Sequence, residues 1–189
     1  MPRTIHALTR ERSTLETHAE LLGGFPLIVK IPGRESGKGV IRVDSYAALF
    51  SLLDYVGSAP ILMEYFEHVV SYRLIVIGNN VIASEARHSG PVYFRTNSIG
   101  SDSIGAVAAP PAAIEMALKA ARVLRIEFGR VDIMENQDQK LLLAKLNFSC
   151  YFCCCFADQQ RDSGIDIAGA MLEHLMAKSR RINPHTTLN

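Results

Sequence analysis

The stretch VKIPGRESGKGVIRV, residues 29–43, decides how this chain is read. Three glycines, Gly33, Gly37 and Gly39, stand among charged residues, with a β-like apolar run on either side. The pattern predicts an antiparallel hairpin: FPLIVKI as one strand, GVIRV as its partner and a donor-rich glycine loop between them. Alternation puts Leu27, Val29 and Ile31 on one side of the first strand and Ile28 with Lys30 on the other. The common phosphate loop would follow its lysine with Ser or Thr and then a helix, whereas Lys38 is followed by Gly39 and a strand. A glycine-rich hairpin can still cover a triphosphate with its backbone N–H groups, the glycines allowing close approach, while a cation on the flanking strand meets phosphate oxygens. A surface hairpin with Lys30 on a solvated edge strand fits the same residues.

Outward from this hairpin the pattern alternates between helices and antiparallel strands. RERSTLETHAELLGG predicts a helix with Leu15, His18, Ala19 and Leu22 at helical spacing, ended by Gly23-Gly24. After the hairpin, DSYAALFSLLDYVG predicts a second, with Asp44 or Ser45 as N-cap and Leu49, Leu52, Leu53 and Val56 on one face. PILMEYF, SYRLIVIG and VIASEARH read as strands, the last two joined tightly through Gly78-Asn79-Asn80. HSGPVYFRTNSIGSDSIGAV has no clear period and reads as a loop with short extended pieces. In PPAAIEMALKAARVLRIEFG a helix begins at the prolines, lines one face with Ile114, Ala117, Leu118 and Ala121, and ends before Gly129. RVDIME and KLLLAKLN pair across NQDQ. A last helix, roughly Ile165 to Ala177, carries Ile165, Ala168, Leu172 and Leu175 ahead of a frayed tail, 179–189. The order α, ββ, α, βββ, loop, α, ββ, α predicts an α+β fold in two lobes.

Composition narrows the class. Of 189 residues 48% are hydrophobic and 21% charged, a globular balance, and a net charge of +1 gives no bulk attraction to nucleic acid or membrane surfaces. No apolar run reaches the roughly 18–20 residues of a membrane span, and the polar N-terminus lacks the apolar core of a signal peptide, so the default is cytoplasmic. The four cysteines, Cys150, Cys153, Cys154 and Cys155, are too clustered for a disulfide framework and lack a second ligand pair for zinc, so they read as reduced thiols.

With these motifs in order, residues from about Gly24 to Lys178 resemble the ATP-grasp ligases, and within them the RimK-like branch that joins an amino acid to a carboxylate. The resemblance implies an ATP-grasp fold with a nucleotide cleft: a single unit 1–178, with a nucleotide-covering lobe over about 1–62 and a lobe bearing metal and phosphate strands over about 63–178. GGFPLIVK…GKGV looks like the nucleotide hairpin, implying that Lys30 contacts phosphate and that the loop of Gly33, Gly37 and Gly39 closes over ATP. PILMEYFE is similar to the hinge strand, with Glu64 toward the adenine amino group or a neighbouring polar contact and the backbone of Tyr65 and Phe66 along the base edge. YRLIVIGNNVIASEARH matches the arginine-bearing strands at Arg73 and Arg87, and YFRTN the substrate-side segment at Arg95 and Asn97. GRVDIME matches the strand of the metal-binding aspartate, Asp132. LLLAKLN matches the strand that usually ends Glu-x-Asn, here Lys145-Leu146-Asn147. The implied reaction phosphorylates a carboxylate with ATP and lets an amine attack the acyl phosphate. Arg87, Arg95 and Asn97 would act at the reacting groups, Asp132 and Asn147 would hold Mg2+, and the substrates would be small-molecule or peptide carboxylates and amines.

Several positions depart from that pattern. Alternation in KLLLAKLN puts Leu141, Leu143, Lys145 and Asn147 on one face, so Lys145 points at the expected metal site, where an ammonium cannot ligate magnesium. It could swing away, replace a metal charge against the phosphates, or leave a non-catalytic ATP-binding module acting with a partner chain. Ser71 stands where the branch usually has a ribose-binding acid, leaving Glu67 or His68 to compensate. FSCYFCCCF replaces a small turn after the asparagine. The family's N-terminal domain and an upstream phosphate-contacting lysine have no counterpart here, which a second chain, a homo-oligomer or truncation of the chain would explain.

Overall fold

A computed structural model of the chain describes residues 1–6, 9–33, 38–56, 60–89, 103–148 and 164–182, with the backbone alone over 103–106. Gly37, Arg95, Asn97 and the cysteine cluster fall outside the described residues. The described part forms nine strands and four helices in two compact units, one of Met1–Val69 with Ser89–Ser101 and one of Val70–His88 with Asp102–Asn189. The α+β class expected from the alternation of hairpins and helices is the observed one.

The first unit holds β1 (Thr4–Ile5), α1 (Arg12–Leu21), β2 (Leu27–Lys30), β3 (Val40–Val43), α2 (Tyr46–Tyr55) and β4 (Ile61–Glu64). Its sheet runs β1-β4-β2-β3, all antiparallel. Leu27 and Val29 of β2, Val43 of β3 and Leu62 of β4 are buried with Leu15, Ala19 and Leu22 near α1 and with Leu49 and Leu53 of α2. Ile28 and Lys30 take the opposite side, as alternation requires. Between the two N-cap candidates of α2, Ser45 takes the role: its hydroxyl accepts from the Ala48 N–H at 3.2 Å. Asp44 instead pairs with Arg42 at 2.8 Å. The two-residue strand β1 goes beyond the sequence reading, which gave that polar segment no strand. It is recruited by β4, Thr4 opposite Met63 and Ile5 opposite Leu62.

The second unit holds β5 (Val70–Ile77), β6 (Asn80–His88), β7 (Ser103–Ala106), α3 (Pro111–Val123), β8 (Phe128–Glu135), β9 (Leu141–Asn147) and α4 (Ile167–Ile182). The sheet order is β7-β6-β5-β8-β9, again antiparallel. Ala113, Ala117 and Ala121 of α3 pack on one face, against Leu74, Val76, Val131 and Ile133. On the other face α4 covers only one end, where Ile167 joins Ile75, Ile77 and Ala83.

α3 stops at Val123, ahead of Gly129 as expected, and Gly129 lies inside β8, which starts two residues before the expected RVDIME strand. The stop is a Schellman turn, Ile126 N–H to Ala121 O at 2.8 Å and Arg125 N–H to Arg122 O at 3.1 Å, with Arg125 at φ +53°. α4 runs from Ile167 to Ile182, so residues 179–182 are helical rather than frayed tail. Its buried side is Ile167, Ala170 and Met171, while Leu172 and Leu175 are exposed; the expected stripe was phased onto the wrong side of the helix.

A further expectation is corrected in β9. Asp132 pairs with Lys145, but the next residue, Ile133, pairs with Leu143, so Ala144 is an extra residue without a partner. The bulge resets the alternation. Leu141 and Leu143 pack into the α3 core together with Leu146. Lys145 and Asn147 stand opposite Asp132 and Arg130 and so take the other face.

Candidate functional site

On that other face the register builds a row of alternating charge. Glu85 of β6 pairs with Arg73 of β5, Arg73 with Asp132 of β8, and Asp132 with Lys145 of β9. Directly opposed residues in an antiparallel sheet share a face with Cβ atoms about 4.5–5.5 Å apart, so the four side chains form one line across four strands. Two more cations flank it. Arg87, two residues from Glu85, donates to its Oε1 at 2.5 Å. Arg130, two residues from Asp132, sets Nε 3.1 Å from Oδ1 and Nη2 3.3 Å from Oδ2.

Burial makes these charges matter. Arg73, Glu85 and Asp132 are all at least nine-tenths buried. Burial pushes the Asp132 carboxyl above the usual carboxylate range, against the pull of Arg130, Arg73 and Lys145. Burial also draws the Arg73 guanidinium down; Asp132 and Glu85 oppose this, while Arg87 and Arg130 add to it. An arginine stays protonated even so. Asp132 Oδ1 and Asn147 Nδ2 are buried without a hydrogen bond among the described residues. Ser71, also on this face opposite Arg87, is buried with its Oγ likewise unsatisfied.

The structure thus brings Arg73, Arg87, Asp132, Lys145 and Asn147 onto one sheet face. Sequence reasoning missed Glu85 and Arg130, whose spacing of two from Arg87 and from Asp132 in SEARH and GRVDI was the available signal.

The remaining described candidates lie in the first unit. Lys30 is half-buried at the end of β2, opposite Val40 and Ile61. Gly33 and Gly39 both adopt left-handed backbone, φ +75° and +80°, and the Ile31 N–H donates to Gly39 O at 2.8 Å, closing the base of the hairpin. Glu64 is engaged by Arg3, through the backbone N–H to Oε1 at 2.9 Å and Nε to Oε2 at 2.6 Å. Arg42 lies over the Tyr65 ring, 4.7 Å from its centroid. The carbonyl of Phe66 accepts from His68 Nδ1 at 3.3 Å.

Comparison with known proteins decides the family. The model of the RimK-like ATP-grasp domain matches residues 2–175. This chain belongs to that family. A probable alpha-L-glutamate ligase of Shewanella halifaxensis is 31% identical over 164 residues, 84% of this chain and 35% of the relative. The ribosomal protein bS6–L-glutamate ligase of Shigella flexneri is 28% identical over 158 residues, 81% of this chain and 51% of the relative. The chain therefore spans about half or less of the length of these ligases. Among solved structures, the ATP-grasp ligase PsnB with minimal precursor, Mg and ADP superimposes with a TM-score of 0.67 at 17% identity, over 94% of this chain and 53% of that one. The D-alanine–D-alanine ligase of Bacillus anthracis with ATP gives 0.65 at 17% identity, over 100% and 62%. The ATP-grasp fold expected from the motifs is thereby shown.

For the magnesium implied by the family, the RimK-like domain offers a poor donor set. Magnesium takes six oxygen ligands in an octahedron. Asp132 and Asn147 supply side-chain oxygens on one face, but Asp132 already lies among Arg130, Arg73 and Lys145, and Lys145 has no acceptor atom. Among the described residues no three His, Cys, Asp or Glu side chains gather as a metal cluster. The residues present do not fit a resident divalent cation. They fit an anion.

Proposed function

We propose that this RimK-like domain is the nucleotide-using part of an ATP-dependent carboxylate–amine ligase. A substrate carboxylate oxygen attacks the γ-phosphorus of ATP, ADP leaves, and the acyl phosphate forms; an amine then attacks the acyl carbon and expels inorganic phosphate, leaving an amide. The observation that carries this reading is the gathering of Arg73, Arg87, Arg130 and Lys145 on one sheet face within an ATP-grasp domain. Such cations neutralise transferring phosphoryl groups and hold the reactants in line, the two tasks in which protein groups lower the barrier to phosphoryl transfer.

In this reading Arg87, with Arg95 and Asn97, serves the acyl phosphate. Arg73 and Lys30 serve the triphosphate, and the Gly33–Gly39 loop covers it. Glu64 and the backbone of Tyr65 and Phe66 serve the adenine. The glutamate ligases among its relatives make amino-acid and peptide carboxylates the first substrates to try; the cytoplasm is the compartment this reading takes. The test is release of ADP and phosphate coupled to amide formation, measured with ATP, glutamate and a panel of peptide carboxylates. Stoichiometric amide and phosphate support the ligase; ATP binding without turnover sinks it.

One observation favours a second reading, an ATP-binding module without turnover that acts through a partner chain: Lys145 stands opposite Asp132, where its ammonium adds charge and no metal ligand. Calorimetry separates both readings from a plain interaction domain, which would bind no ATP.

A further inference from the structure

We infer that the charged face of the second sheet binds a triphosphate as the free, metal-free anion, with the Lys145 ammonium standing in for a divalent cation. The inference rests on the nucleotide reading above and concerns what accompanies the nucleotide.

The charge count carries it. Four cations, Arg73, Arg87, Arg130 and Lys145, face two carboxylates, Glu85 and Asp132, a net of +2 among the described residues and equal to the charge of one magnesium ion. Glu85 accepts from Arg87, and Asp132 accepts from Arg130 Nη2 through Oδ2; its Oδ1 makes no hydrogen bond among the described residues but lies 3.1 Å from Arg130 Nε, with the Arg73 and Lys145 positions on the neighbouring strands. A divalent cation arriving here would meet like charge from all three sides of Asp132, whereas a polyanion meets complementary charge.

Placement adds a second argument. Arg73 is buried and fixed, whereas Lys145 is exposed at the edge strand, with a flexible stem and three rotatable donors. The bulge at Ala144 is what turns it to this face. The buried arginines thus give a rigid floor, and Lys145 is the one cation of the set free to follow an incoming phosphate.

The test is calorimetry of the full chain with ATP and, separately, with tripolyphosphate, each in EDTA and in excess magnesium chloride. The expected result is that both ligands bind in EDTA at least as tightly as with magnesium. Lys145→Glu then loses about tenfold or more in EDTA, the scale of one charge-assisted hydrogen bond, and regains affinity when magnesium is added. Lys145→Gln loses affinity in EDTA and regains none; because residue 145 is exposed, both variants should keep the wild-type circular dichroism. ATP binding that requires magnesium in the wild type overturns the inference and leaves the nucleotide reading in place. Tripolyphosphate binding in EDTA without ATP binding keeps the anion face and removes the nucleotide. Binding of neither ligand in either condition overturns both.

Discussion

Arg3 ties Glu64 at the end of β4 to the end of α1. Its backbone N–H and Nε take the two carboxylate oxygens of Glu64, while Nη1 and Nη2 donate to the carbonyls of Leu21 and Leu22 at 2.9 and 2.8 Å. The helix carbonyls are groups that the end of α1 leaves without an intrahelical partner. One guanidinium therefore closes a helix terminus and orients a side chain assigned to the adenine. Arg3→Ala should cost about 1–2 kcal/mol of stability, kept small by the exposure of the pair, and Arg3→Lys should recover little because an ammonium lacks the planar fork. Urea denaturation of the three proteins checks this; equal midpoints would remove the tie.

Gly78 is a position where side-chain volume and backbone conformation both bind. It turns the β5–β6 hairpin at φ +58°, and a Cβ there would come within 2.3 Å of the His174 ring on α4. Gly78→Ala should destabilise the second unit by about 2–3 kcal/mol, combining left-handed strain with a displaced helix. A thermal midpoint within a degree or so of wild type would contradict the packing described.

Arg125 offers the opposite case. It occupies the left-handed position of the Schellman turn that ends α3, and the equivalent turn of α1 uses Gly23 at φ +100°. Arg125→Gly should raise stability by about 0.5–1 kcal/mol, the left-handed penalty less the extra chain entropy of glycine. Chemical denaturation reads it directly.

His68 is buried, and burial lowers its pKa below the ordinary 6.5 while the bond to Phe66 O opposes the drop. A histidine with a depressed folded pKa contributes stability that is full above about 6.5 and is lost as pH falls toward the folded value, because the unfolded chain takes the proton first. The urea midpoint should therefore fall between about pH 7.5 and about pH 5.5. His68→Gln should flatten that part of the pH dependence.

For the nucleotide reading, Lys30→Ala should weaken ATP binding by about 1.5–3 kcal/mol, the contribution of one hydrogen bond to a charged group. Calorimetry against the wild type decides; an unchanged affinity would return Lys30 to the solvent.

Much of this was legible before any coordinates. Helical spacing gave the buried faces of α1 and α2, and the glycine loop between two apolar runs gave the β2–β3 hairpin, because those signals are local. The site was legible in part. Arg73, Arg87, Asp132, Lys145 and Asn147 were found, but their common face depends on cross-strand register, which no single segment encodes. Strict alternation placed Leu141 and Leu143 beside Lys145, and only the pairing with β8 shows that Ala144 separates them. The stripe on α4 went astray because apolar Leu172 and Leu175 are exposed, so hydrophobicity alone mis-phased the helix.

The extra residue at 144 has a consequence for how the domain can diverge. Upstream of it β9 is anchored in the α3 core, while positions 145 and 147 lie outside that packing. Exchange at those two positions, one exposed and one part-buried, alters the chemistry of the charged face with little disturbance to the anchored half. A lineage can thereby trade one ligand preference for another at this strand end without first re-engineering its interior.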